Sequence, residues 1–163
     1  MKKLVLAVCL AFALTGFAQD QKMSKEDEAK LEQSLKMMLD SKIDMTIDSS
    51  VFTVNDGNTY FTEAQDAGII AMAAPKSFAK MKEDMDKKSE PGAEKGEMTI
   101  DGQKILFMKK LKEKDGKDYI ITVYCKANDA ESSLMLTSFF EKEKESIYKP
   151  HAEKAIASAK LVK

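Results

Sequence analysis

The side chains of this 163-residue chain that could do chemistry are few: one histidine, two cysteines, eleven methionines and two pairs of adjacent aromatic residues. His151 would have to carry any imidazole-based mechanism. A general base needs a partner that orients it and a proton within hydrogen-bond reach. His151 stands beside Pro150 in a Lys- and Ala-rich stretch, and no Gly-x-Ser-x-Gly elbow offers a nucleophile. A Ser-His-Asp mechanism therefore lacks its first member, and His151 reads as a solvated surface residue. No catalytic residue and no cofactor-binding motif is assigned, and the chain is expected not to be an enzyme.

Soft-metal binding is the sharper alternative. Met81 and Met85 fall at i, i+4, and Met37, Met38, Cys125 and His151 are further donors. Thioether and thiolate sulfur select Cu(I). The same methionines, however, fit apolar stripes at helical spacing, where Met fills gaps in cores. Without a Cys-x-x-Cys or Met-x-Met cluster, no metal ligand is assigned. Residues 56–58 are too short and poorly patterned for the 12-residue calcium loop. Cys125 alternates with Tyr119, Ile121 and Val123 on one strand face, which predicts a small buried hydrophobe.

Tyr60-Phe61 and Phe139-Phe140 are the adjacent aromatic pairs. Neighbours in a strand point to opposite faces, so one member of each pair enters the core and the other needs a cover or a partner. That second aromatic marks a candidate interaction surface. A second layer of helices would cover it equally well.

Residues 1–18 read as a cleaved export signal. Lys2 and Lys3 are followed by an apolar run over residues 4–14, and Gly16-Phe17-Ala18 places small residues where a signal peptidase inspects them. The run is shorter than the roughly 20 residues a membrane-spanning helix needs, and Cys9 lies inside it rather than at a lipidation point. A periplasmic or extracellular location follows. Residues 19–163 are close to the usual size of one domain. Every basic residue is Lys; the 26 less Lys2 and Lys3 leave 24 against 27 acidic residues, a mature net charge of −3. A slightly acidic chain without Arg lacks the basic footprint that phosphate backbones require. Nucleic acid is thereby excluded as the expected ligand.

The elements that would position these residues centre on three strands at 104–111, 119–125 and 134–140. Asp115-Gly116 between the first two suits a type I′ turn, in which both central residues take positive φ. Residues 24–40 predict a helix lying on the sheet, with Leu31, Leu35, Met38 and Leu39 as its apolar stripe. Residues 43–47 and 51–54 read as extended, residues 55–58 as a turn, and 59–62 as the return of a second hairpin. The run over 68–74 suggests a strand buried on both faces, and Pro75 then introduces a helix to about residue 88 bearing Phe78, Met81 and Met85. Residues 89–96 read as a loop, 98–100 as extended and Asp101-Gly102 as a turn. A last helix begins at Lys149 and Pro150, with Ala152, Ala155, Ile156 and Ala159 on one face.

The stretch Gly68-Ile-Ile-Ala-Met-Ala-Ala-Pro-Lys-Ser-Phe78, the meander over 104–140 and the closing Ile156-Ala-Ser-Ala-Lys-Leu161 resemble small exported proteins of the PsbP-like α/β/α sandwich superfamily. The resemblance covers residues 43–162 and rests on element order. It implies a non-enzymatic protein that binds or stabilises partner proteins. The expectation is an exported α+β protein, its antiparallel sheet flanked by helices, that binds another exported or envelope protein as an accessory module. The alternatives are a copper-binding protein and a carrier of a small apolar ligand, the latter requiring a cavity between sheet and helix.

Overall fold

Alternating apolar and polar residues over most of the chain produce a seven-stranded antiparallel sheet. The computed structural model describes residues 41–162 together with Glu32, Lys36 and Asp40. These three are helical and exposed; the remainder of the helix expected over 24–40, including its apolar stripe, lies outside the described residues, as does the signal at 1–18. The described residues from Lys36 onward belong to one compact unit.

The described elements run β1 (Ile43–Asp44), β2 (Val54–Asp56), β3 (Thr59–Phe61), β4 (Ala67–Ala74), α1 (Phe78–Lys87), β5 (Glu94–Ile100), β6 (Gln103–Lys114), β7 (Lys117–Ala127), β8 (Ser133–Glu141), α2 (Glu145–Ser158) and β9 (Lys160–Leu161). A 3₁₀ turn, Lys142–Lys144, leads into α2. The large sheet has the order β2-β3-β4-β8-β7-β6-β5. Two meanders are joined through α1, and the sheet closes where β8 returns beside β4 over eight paired residues, Ala67 with Phe140 through Ala74 with Ser133. Asp115 and Gly116 have φ of 53° and 75°, and Asp101 and Gly102 of 49° and 75°. Both Asp-Gly hairpin turns take the left-handed backbone that Gly adopts without strain.

Ala67, Ile69, Ala71 and Ala73 of β4, Leu134, Leu136 and Phe140 of β8, and Ile120 and Tyr124 of β7 face α2 and form the core with Ala152, Ala155 and Ile156. Small residues on both sides let helix and sheet approach closely. The opposite face carries α1. Glu97, Leu106, Cys125 and Met135 are successive register partners and so share that face. Lys82 of α1 bonds Glu97. α1 and α2 are each held at the C-terminus by a lysine from the sheet. Lys95 donates to the carbonyls of Met85, Asp86 and Lys88. Lys126, on the other face, donates to those of Ala157 at 2.6 Å and Ala159 at 2.8 Å. Both satisfy orphan carbonyls and oppose the negative end of the helix dipole.

Four expectations are corrected. The last helix begins at Glu145, so Pro150 lies inside it; the charged residues ahead of Pro150 hid a first turn whose contacts to the sheet are mostly polar. The loop over 89–96 is shorter, because β5 starts at Glu94 and pairs it with Lys109. Within 43–47 the only strand residues are Ile43 and Asp44. Of residues 51–54, Val54 alone is in a strand, since the carbonyl of Asp48 accepts from the amides of Val51 and Phe52 in a turn that delivers Phe52 to the core. β9, which carries no sequence signal of its own, pairs with β1 and ties residues 43–44 to residues 160–161.

Candidate interaction surface

Register pairs directly opposite one another share a face, which places the second aromatic of each pair. Val54 opposes Phe61, Phe61 opposes Gly68, Gly68 opposes Phe139 and Phe139 opposes Ile121. An apolar row thus crosses five strands on the α1 face. Ile70, Thr137, Val123 and Met108 make the next row. All of these side chains except Gly68 and the more exposed Val54 are partly exposed. Tyr60 and Phe140 point to the α2 side, where Phe140 is 2% exposed and Tyr60 packs against its cluster. The division expected from the sequence is the one observed.

Gly68 makes the centre of this surface possible. The Phe61 and Phe139 rings meet across β4 with centroids 5.9 Å apart and planes tilted by 52°, a favourable edge-to-face-like geometry. A Cβ on Gly68 would lie 2.6 Å from Phe61 and 2.7 Å from Phe139. Any side chain there would push the rings apart.

One end of the surface is polar. Asp66, 6% exposed, accepts from the Thr62 hydroxyl at 2.6 Å, from Lys144, and from the Tyr148 hydroxyl at 3.3 Å. Glu141 pairs with Lys117 at 2.5 Å and with Lys144 at 3.5 Å. Burial works against the charge on Asp66, but the Lys144 and Thr62 hydrogen bonds outweigh it and hold the carboxyl below its ordinary range. The hydrogen bond from Lys117 does the same for Glu141. Both acids are thus ionised and satisfied, an arrangement suited to fastening elements rather than to moving protons. The sequence analysis missed this cluster; its members come from four separate elements and their connections, and a Lys- and Glu-rich chain gives no local sign of which charges pair.

His151 Nδ1 lies 3.1 Å from Asp48, and Ser50 Oγ donates to the other Asp48 oxygen at 2.6 Å. The hydrogen bonds from Ser50, ahead of the charge of His151, hold the Asp48 carboxyl below its ordinary range. The carboxylate here bridges the imidazole and the hydroxyl, whereas nucleophilic catalysis requires the imidazole to do so. Cys125 is 6% exposed, and burial pushes its thiol up to about 11. It lies on the α1 face and His151 on α2, on the other side of the sheet. Among the methionines, Met72, Met135 and Cys125 fall in one cross-strand row, while Met81 and Met85 are half-buried on α1.

A shallow depression of about 340 Å³ lies between the β5–β6 turn and α2, lined by Thr46, Ile100, Asp101, Glu153, Lys154, Ala157 and Ser158. It opens to solvent and has charged walls. Among the described residues, no helix is long and apolar enough to cross a membrane.

No family model and no curated protein matches this sequence. Among solved structures, a Bacteroides thetaiotaomicron protein is similar at 11% identity and a TM-score of 0.55, over 75% of this chain and 46% of its own length. LpqN of Mycobacterium tuberculosis, involved in cell envelope biogenesis, is similar at 14% identity and a TM-score of 0.47, over 76% of this chain and 84% of its own. This chain therefore spans less than half of the first of these proteins, and what that likeness shows is a shared α+β fold.

Proposed function

We propose that this chain is an exported, non-enzymatic accessory protein that binds another exported or envelope protein through the aromatic row on its α1 face. The observation that carries this reading is the meeting of Phe61 and Phe139 over Gly68, flanked by Ile121 and Val54, on a partly exposed sheet face. Contiguous apolar surface rimmed by charge is a feature of docking sites. The edges of the sheet suit strand addition less well. β2 is three residues long, and β5 carries Glu94, Lys95 and Glu97, both devices that blunt edge pairing. The export signal read at residues 1–18 supplies the compartment, and the element order resembling the PsbP-like superfamily agrees with a partner-binding role. In chemical crosslinking of the exported fraction, the wild-type chain is expected to capture a defined protein that Phe61→Ser/Phe139→Ser loses while remaining folded. Equal capture by both, or turnover of a generic esterase, phosphatase, peptidase or glycosidase substrate that survives purification, would contradict the reading.

A second reading has one observation in its favour. Met72, Met135 and Cys125 stand side by side on neighbouring strands beneath the layer that contains α1, and this places two thioethers next to a thiol. Cu(I) is the ion such donors select. Binding would have to displace the proton from a thiol that burial makes a weak acid. Copper loading followed by elemental analysis tests it: bound copper that Cys125→Ser removes supports the reading, and its absence from the wild-type protein removes it.

A further inference from the structure

α2 consists of two halves of different character, divided by Pro150. Among residues 142–150 none is buried, and Ile147 is 55% exposed. Beyond the proline, Ala152, Ala155, Ile156 and the capping Ala159 are each at most 1% exposed. Pro150 has no N–H, so the carbonyl of Ser146 loses its i+4 donor, and the ring crowds that carbonyl. The helix is weakest where its packing changes.

What fastens the first half to the sheet is largely polar. Lys144 bridges Asp66 and Glu141, and Glu141 also receives Lys117. The Tyr148 hydroxyl reaches Asp66, Lys109 meets Glu145 at 3.3 Å, and Lys142 meets Asp118 at 3.6 Å. The one apolar contribution is the Tyr148 ring, packed on the cluster of Phe52, Ile69, Ile120 and Phe140. Just past the proline, His151 is held by Asp48, and the rest of the helix is anchored by the core and by Lys126.

We propose that residues 142–149 are a strap, hinged at Pro150 and latched at Asp66, that leaves the sheet while residues 151–159 stay docked. Opening carries the Tyr148 ring away from Phe140 and bares a second apolar surface on the α2 side. This device is independent of what the aromatic row binds. Its physical basis is the contrast between a half held by exchangeable polar contacts and a half held by apolar burial, since local opening follows the element with the fewest buried apolar contacts.

Residue-resolved amide hydrogen exchange on the full chain tests it. Asp66→Asn removes the charge that holds Lys144 and is expected to speed exchange at residues 146–149 by about tenfold or more, leaving residues 152–158 within about twofold. Pro150→Ala restores the missing hydrogen bond and is expected to slow exchange at residues 147–149. If Asp66→Asn does not fold, Lys144→Gln is read in the same way. Equal acceleration of both halves, or no change in either, would overturn the proposal.

Discussion

Replacing Gly68 with valine is expected to lower stability by about 3 kcal/mol, read from urea denaturation, at the upper end of what overpacking a filled site costs. β4 is an interior strand paired on both sides, so its backbone has little room to move. The new Cβ would stand 2.6 Å from one ring and 2.7 Å from the other, and the valine methyls would extend further into both. Relief has to come from the rings turning away from each other. Phe61→Leu in the same chain is therefore expected to recover part of the loss, although it is destabilising by itself. A loss below about 0.5 kcal/mol for Gly68→Val would mean that the two rings are not held over the strand, and the surface described here would lose its centre.

The second large effect lies on the other face. Ile156→Ala is expected to cost about 3 kcal/mol, the usual magnitude for truncating a fully buried aliphatic side chain. Ile156 is 0% exposed, amid Leu134, Leu136, Ile105 and Tyr124. The informative comparison is within the same helix. Ile147→Ala removes the same atoms from a side chain that is 55% exposed, and the expected change is within about 0.5 kcal/mol. Similar losses at the two positions would show that the halves of α2 are equally anchored and would remove the basis for a hinge at Pro150.

The parts of this fold that were legible in the sequence are those fixed by short-range chemistry. Asp115-Gly116 and Asp101-Gly102 announced their turns because few residues adopt positive φ readily. The three meander strands and the buried run ending at Ala74 followed from alternation and from β-branched and small residues. The aromatic doublets indicated that one ring of each pair would leave the core; that these are Phe61 and Phe139 followed only from the strand register. Less visible were features that depend on distant partners. Pro150 marked a helix start only as long as the mostly polar residues 145–149 had no known neighbours; the contacts of Glu145 to Lys109 and of Tyr148 to Asp66 extend the helix toward its N-terminus. β9 exists because Lys160 and Leu161 meet Asp44 and Ile43 across the fold. The Asp66 cluster has no local signature, since its acids and lysines are indistinguishable in sequence from the many that stay solvated. Met72 and Met135 were likewise invisible as neighbours until the β4–β8 register placed them side by side.

The most direct measurement is site-specific photocrosslinking in cells, with the crosslinking amino acid placed at Phe139 and, as a control, at Thr99 on the edge strand β5. The account predicts an adduct with one exported or envelope protein from position 139 that is absent from position 99. No adduct from position 139, or the same adducts from both positions, would contradict it.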